Sequence, residues 1–155
     1  MKHLQLKILI TAIVIMVSLV VIRLFVFDNK ASDEGTIYLT ITGQDDEVLF
    51  DGALTYQEGD NFYDILNRHF DLTCATQTYQ ADPECVYTFD SILYQGKVIL
   101  GIKGEDFDLM TNWTNTFLSF YYFVGEEKKL ATVGPSQLAF KDGDKFTISY
   151  QQAWE

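Results

Sequence analysis

The chain has 155 residues, a net charge of −11, 48% apolar and 15% aromatic residues, two histidines and two cysteines. That is enough for one small domain with an appendage, and too apolar for a disordered chain. The acidic balance argues against a nucleic-acid partner, which needs clustered Lys and Arg, and His3 and His69 alone cannot build a histidine-rich metal site or a two-histidine mechanism.

From Ile8 to Phe27 the chain runs for twenty residues with Arg23 as the one charge, a length that as a helix spans roughly 30 Å of hydrocarbon. This predicts a transmembrane anchor over 1–27. A cleaved signal peptide would have a shorter apolar core and a small-x-small site, and Asp28 to Gly35 contains no good version of that site. Lys2 and Lys7 precede the run while Asp28, Asp33 and Glu34 follow it. The positive-inside rule therefore places the remainder outside the cell membrane, as an extracytoplasmic part of a single-pass protein. Residues 28–35 read as a linker. Of the acidic residues only Asp28 lies before position 31, and of the basic ones Lys2, Lys7, Arg23 and Lys30 do, so 31–155 carries 21 acidic against 7 basic residues. Such a surface is repelled by anionic headgroups.

Thr36 to Thr42 alternates Ile37, Leu39 and Ile41 with hydroxyl residues and Tyr38, the period-2 signature of a half-buried strand. A turn at Gly43 to Asp46 and a second strand from Val48 to Tyr56 complete a hairpin, with Gly52 as a candidate bulge. Asp60 or Asn61 then caps a helix whose Phe62, Ile65, Leu66 and Phe70 share one face. His69 falls in its last turn, where the helix dipole favours a cation, and reads as structural.

Asp71 to Glu84 reads as a loop, followed by Cys85. In an oxidising compartment a Cys74–Cys85 disulfide is the default and free thiols are the alternative. A spacing of eleven fits neither a zinc site nor a CxxC redox pair. Val86 to Leu93 and Lys97 to Ile102 read as two strands joined through Tyr94-Gln95-Gly96. Glu105, Asp106 and Asp108 form an acidic cluster that lacks the calcium-loop pattern. Phe117 to Val124 is the most aromatic and β-prone stretch. Gly125 to Lys129 is a polar turn, Leu130 to Val133 a return segment, and Lys141-Asp142-Gly143-Asp144 a tight turn before a closing strand from Lys145 to Tyr150. A hairpin, one helix and further strands on a single sheet make an α+β arrangement, a β-grasp-like sheet with one packed helix behind the membrane anchor.

Three stretches also carry a family likeness. Gly59-Asp60-Asn61-Phe62-Tyr63-Asp64-Ile65-Leu66, Phe120-Tyr121-Tyr122-Phe123-Val124-Gly125, and Val133-Gly134-Pro135-Ser136-Gln137-Leu138 followed by Lys141-Asp142-Gly143-Asp144-Lys145 resemble motifs of a bacterial extracytoplasmic domain family. That family is related in fold to the C-terminal β-domain of transcobalamin and intrinsic factor. Leu118 and Ser119 stand where the family opens its aromatic strand with Trp, and Val124 where it carries Asn. The resemblance covers roughly Thr36 to Gln151 and implies a β-grasp domain over 36–155. It also implies a cobalamin-like small-molecule ligand and association with a membrane transporter.

On Phe117 to Val124, alternation puts Leu118, Phe120, Tyr122 and Val124 on one face and Phe117, Ser119, Tyr121 and Phe123 on the other. One helix covers one face, so the second set needs another cover: the chain's own loops, or a ligand or partner. Ser119, Tyr121 and Phe123, with nearby Trp113, are the candidate ligand-binding residues. The leading function is a membrane-anchored binding protein with a monomeric outer domain and no cofactor beyond that ligand. The alternative is a cell-surface protein-interaction or carbohydrate-binding module. Catalysis is disfavoured, because the sequence holds no paired histidines, no Ser/His/Asp set and no phosphate-cradling glycine loop.

Overall fold

A computed structural model describes residues 7–18, 29–91 and 94–153 of the chain. Residues 7–18 form helix α1, exposed along its length, with Thr11 Oγ1 donating to the Lys7 carbonyl at 3.0 Å. Among the described residues no helix is long and apolar enough to cross a membrane. Residues 19–27 of the expected span lie outside the described residues.

The remainder is a mixed α+β fold dominated by sheet. Its central element is a five-stranded sheet built from β1 (Gly35–Thr42), β2 (Val48–Tyr56), β9 (Thr116–Val124), β10 (Glu127–Leu130) and β11 (Lys145–Gln152). The spatial order is β10-β9-β11-β1-β2, with β1 and β11 parallel in the middle and every other pair antiparallel. Alternation decides the faces: Ile37, Leu39 and Ile41 of β1 and Phe146 and Ile148 of β11 are buried on one side. The bulge expected at Gly52 lies elsewhere. Gly52 pairs regularly with Leu39, and the register shifts where Thr42 pairs Val48 and Ile41 pairs Phe50, leaving Leu49 as the extra residue.

Helix α2 (Phe62–His69) begins at an Asn61 cap with a reciprocal capping box to Asp64, which satisfies donors that the first helical turn leaves unpaired. Phe62, Ile65 and Leu66 are fully buried against the sheet. His69 Nε2 sits 3.0 Å from the Thr55 carbonyl, so it ties the helix end to β2. From the last turn of α2, Arg68 donates two hydrogen bonds of 2.6 and 2.7 Å to Asp60, which precedes the helix, and the Gln57 amide donates to the same carboxylate at 2.7 Å.

The single sheet expected from the sequence is corrected by a second one. Asp71–Ala75 is strand β3, not loop; with β4 (Ala81–Asp82), β7 (Ile99–Lys103) and β8 (Asp108–Met110) it forms a sheet of order β4-β3-β7-β8. Leu72, Cys74, Ile99, Ile102 and Leu109 of this sheet share one core with Ile37 and Phe62. The physical reason is burial: a single eight-residue helix leaves apolar sheet surface uncovered, and the second sheet covers it. The expected pairing of Val86–Leu93 with Lys97–Ile102 is also corrected. Only β5 (Phe89–Asp90) and β6 (Gln95–Gly96) pair locally, whereas β7 pairs with β3 and β8. The return strand after the aromatic stretch is Glu127–Leu130, earlier than the expected Leu130–Val133.

Cys74 and Cys85 form the disulfide. Cys74 is fully buried and Cys85 nearly so, so the expected bond closes the exposed turn between β3 and β4 with both sulfurs anchored in the core. Just beyond it, Lys97 Nζ donates to the carbonyls of Cys85, Val86 and Tyr87 at 2.5, 3.0 and 3.0 Å. One ammonium thereby gathers three backbone acceptors that belong to no strand.

Candidate functional site

Strand β9 shows the two faces that alternation assigns. Leu118 is buried in the main core, and Phe120 and Tyr122 pack against it. Ser119, Tyr121 and Phe123 project on the other side. Ser119 is buried and lies opposite Ser149, whose Oγ accepts from Thr42 Oγ1 at 3.0 Å. Tyr121 is half-buried with the Lys128 ammonium 4.3 Å from its ring centroid, a cation–π contact. Phe123 pairs with Lys128 across the β9–β10 hairpin.

Melting the four single variants tests this division. Phe120→Ala and Tyr122→Ala should each lose roughly 2–3 kcal/mol, because they remove partly buried aromatic surface from the core. Tyr121→Ala and Phe123→Ala should stay within about 1 kcal/mol of the parent. Equal losses in all four would mean that both faces belong to the core.

Trp113 stands on the turn that leads into β9. The Asn112 side-chain oxygen accepts from the amides of Thr114, Asn115 and Thr116 at 3.1, 2.8 and 3.1 Å, and the Trp113 amide donates to the Thr116 carbonyl at 2.9 Å. The turn holds Trp113 at φ 59°, the left-handed region that bulky residues rarely enter. Its ring stacks on Tyr79, centroids 5.5 Å apart and planes 13° from parallel.

Trp113 and Ser119 meet at an open cleft of about 210 Å³, bordered also by Tyr94, Val98, Leu130 and Val133. Leu130 is 55% and Val133 42% exposed, so the rim is apolar and accessible. Tyr94 forms a fixed wall: its hydroxyl donates to the Lys97 carbonyl at 2.6 Å, and burial pushes its pKa up to about 12. The structure therefore brings two of the four sequence-derived candidates together and leaves Tyr121 and Phe123 farther along β9, outside the cleft. Tyr94, Val98, Leu130 and Val133 were missed. They lie in connections and at a strand end, where periodicity gives no signal.

Three of the acidic residues singled out in the sequence have partners. Asp142 Oδ1 accepts the Thr36 amide at 2.8 Å, Asp144 Oδ2 accepts the Lys141 amide at 3.0 Å, and Lys103 lies 4.0 Å from Asp108. Among the described residues no group of three or more His, Cys, Asp or Glu is placed to hold a metal ion.

No family model matches the chain, and no curated protein matches it in sequence. Among solved structures the chain is similar to haptocorrin, determined in complex with Cbi. The TM-score is 0.50 and the identity 12%, and the likeness covers 80% of this chain and 26% of the haptocorrin chain. At that identity the likeness is one of fold. This chain spans about a quarter of the length of the haptocorrin chain it matches.

Proposed function

We propose that the chain is a membrane-anchored extracytoplasmic binding protein, non-enzymatic. Residues 1–27 form its anchor, 28–35 a linker, and 36–155 a β-grasp domain carrying a second sheet. Its ligand is a small molecule with a flat ring system, cobalamin-like, held for a membrane transporter. The observation that carries this reading is the cleft between Trp113 and Leu130, where an exposed aromatic ring, a fixed tyrosine wall and an apolar rim converge on β9. Such concave, largely apolar sites with few polar groups are how proteins take small ligands. The likeness to haptocorrin, a protein solved with Cbi bound, supports the ligand class. At about 210 Å³ the cleft grips an edge or substituent of a corrin-sized ring, which leaves the remainder for another protein surface.

Equilibrium dialysis of the full-length chain in detergent against cyanocobalamin, and against haem as the comparison ring, tests the reading, with bound ligand measured by its own visible absorbance. Saturable binding of the corrinoid, weakened at least about 10-fold, or roughly 1.4 kcal/mol, by Trp113→Ala and by Leu130→Asp, is the expected result. Absence of saturable binding, or binding indifferent to both substitutions, overturns it. The same preparation should partition with membranes before solubilisation and expose a C-terminal tag to external protease on intact cells; a protected tag reverses the orientation.

A further inference from the structure

Two turns of this acidic chain carry no charge. Thr76-Gln77-Thr78-Tyr79-Gln80 and Asn112-Trp113-Thr114-Asn115-Thr116 are built of hydroxyl and amide residues around one aromatic each, and the fold brings those two aromatics together. Tyr79 and Trp113 are 44% and 43% exposed, although their rings are near-parallel at 5.5 Å. Both stand in the left-handed backbone region, at φ 58° and 59°. That conformation is unfavourable for bulky side chains and persists where surrounding structure enforces it. Each turn supplies that enforcement. Gln80 N donates to Thr76 Oγ1 at 3.1 Å and Tyr79 N to the Thr76 carbonyl at 2.9 Å, while Asn112 closes the other turn. Phe89 backs the pair, 5.4 Å from Tyr79.

We propose that the Tyr79–Trp113 ledge is a docking site for an uncharged glycan, a second ligand site on the binding protein described above. Aromatic planes offer flat apolar surface to the C–H face of a sugar ring. The exposed side chains of Gln77, Thr78, Thr114 and Asn115 beside them are neutral donors and acceptors matched to sugar hydroxyls. Charge selects within the class: neither turn has a cation to pair with a uronate or phosphate, and the 21 acidic residues after position 31 repel anionic polymers. The chemistry therefore fits a neutral polysaccharide.

Native gels of the full-length chain in detergent, cast with glycol chitin, hydroxyethyl cellulose or mixed-linkage β-glucan and, for comparison, alginate, test the proposal. Retardation by at least one neutral polymer and none by alginate is expected. Tyr79→Ala should lower the affinity at least about 10-fold, and Tyr79→Phe should retain it. Tyr79 does not border the β9 cleft but stacks on Trp113, which does, so the two readings are separated on the parent chain: corrinoid binding without glycan retardation overturns the ledge alone, and glycan retardation without corrinoid binding overturns the cleft reading alone. Mobility unchanged by all three neutral polymers overturns the proposal, as does equal retardation by alginate or a Tyr79→Ala variant as retarded as the parent. If Tyr79→Ala melts earlier than the parent, the comparison of Tyr79→Phe with a Tyr79→Leu variant that retains an apolar side chain decides: equal glycan affinity in the two overturns the proposal.

Discussion

Phe62→Ala should lower the stability of the chain by roughly 3–5 kcal/mol, a large share of the roughly 5–15 kcal/mol available to a domain of this size. Phe62 is fully buried at the first position of α2, its ring centroid 4.6 Å from Phe146 and 6.3 Å from Phe140. It touches both the closing strand and the segment before it, so the cavity left by truncation borders two elements that cannot both move in to fill it. The midpoint of urea unfolding measures the loss. A shift equivalent to less than about 1 kcal/mol would be typical of a surface position and would mean that α2 does not pack as described.

Arg68→Met should have the next largest effect, and its size should depend on pH. The guanidinium, hydrogen-bonded to Asp60, holds that carboxyl below the ordinary carboxylate range; the Gln57 amide adds to this against the opposing effect of burial. Losing one partner of a fully buried pair costs roughly 3–5 kcal/mol. Here the Arg68 side chain is 36% and that of Asp60 11% exposed, so solvent screening reduces the expected loss to roughly 2 kcal/mol at neutral pH. A carboxyl whose folded-state pKa lies below its unfolded value of about 3.9 contributes stability that is present above that value. The contribution is lost as pH falls through the folded-state pKa. The gap between parent and variant should therefore be full at pH 6 and close steadily below pH 4. A gap that stays constant down to pH 2 would assign the effect to lost packing of the arginine stem.

The elements legible in the sequence are those whose pattern repeats within one window. β1 alternates over eight residues, α2 places Phe62, Ile65 and Leu66 at helical spacing, and β9 and β11 carry alternation long enough to assign faces. The second sheet lacks such a signal for a physical reason. Ile99, Leu100, Gly101 and Ile102 of β7 are all buried, so both faces are covered and alternation vanishes. β8 is three residues long and shares the acidic stretch that reads as loop. Asp71–Ala75 is five residues between a helix and a turn, and its partner β7 begins well beyond the disulfide. The candidate site was half legible for the same reason. The sidedness of β9 follows from local geometry, but the meeting of Trp113 with Tyr94 and Leu130 depends on how separate turns converge.

The parallel pair at the centre of the five-stranded sheet has a consequence for how the chain acquires its structure. β1 is bonded to β2 on one edge and to β11 on the other, and the Thr42–Ser149 contact between β1 and β11 joins residues 107 apart. The hairpin and α2 can form as soon as they are synthesised, yet Ile37, Leu39 and Ile41 keep one bare edge until the last strand arrives. Closing so long a loop precedes its reward, which places this fold among the high-contact-order, slower folders. Until β11 docks, the edge of β1 is a template for any other extended chain. Folding of this chain is thus a race between its own final strand and strands from its neighbours.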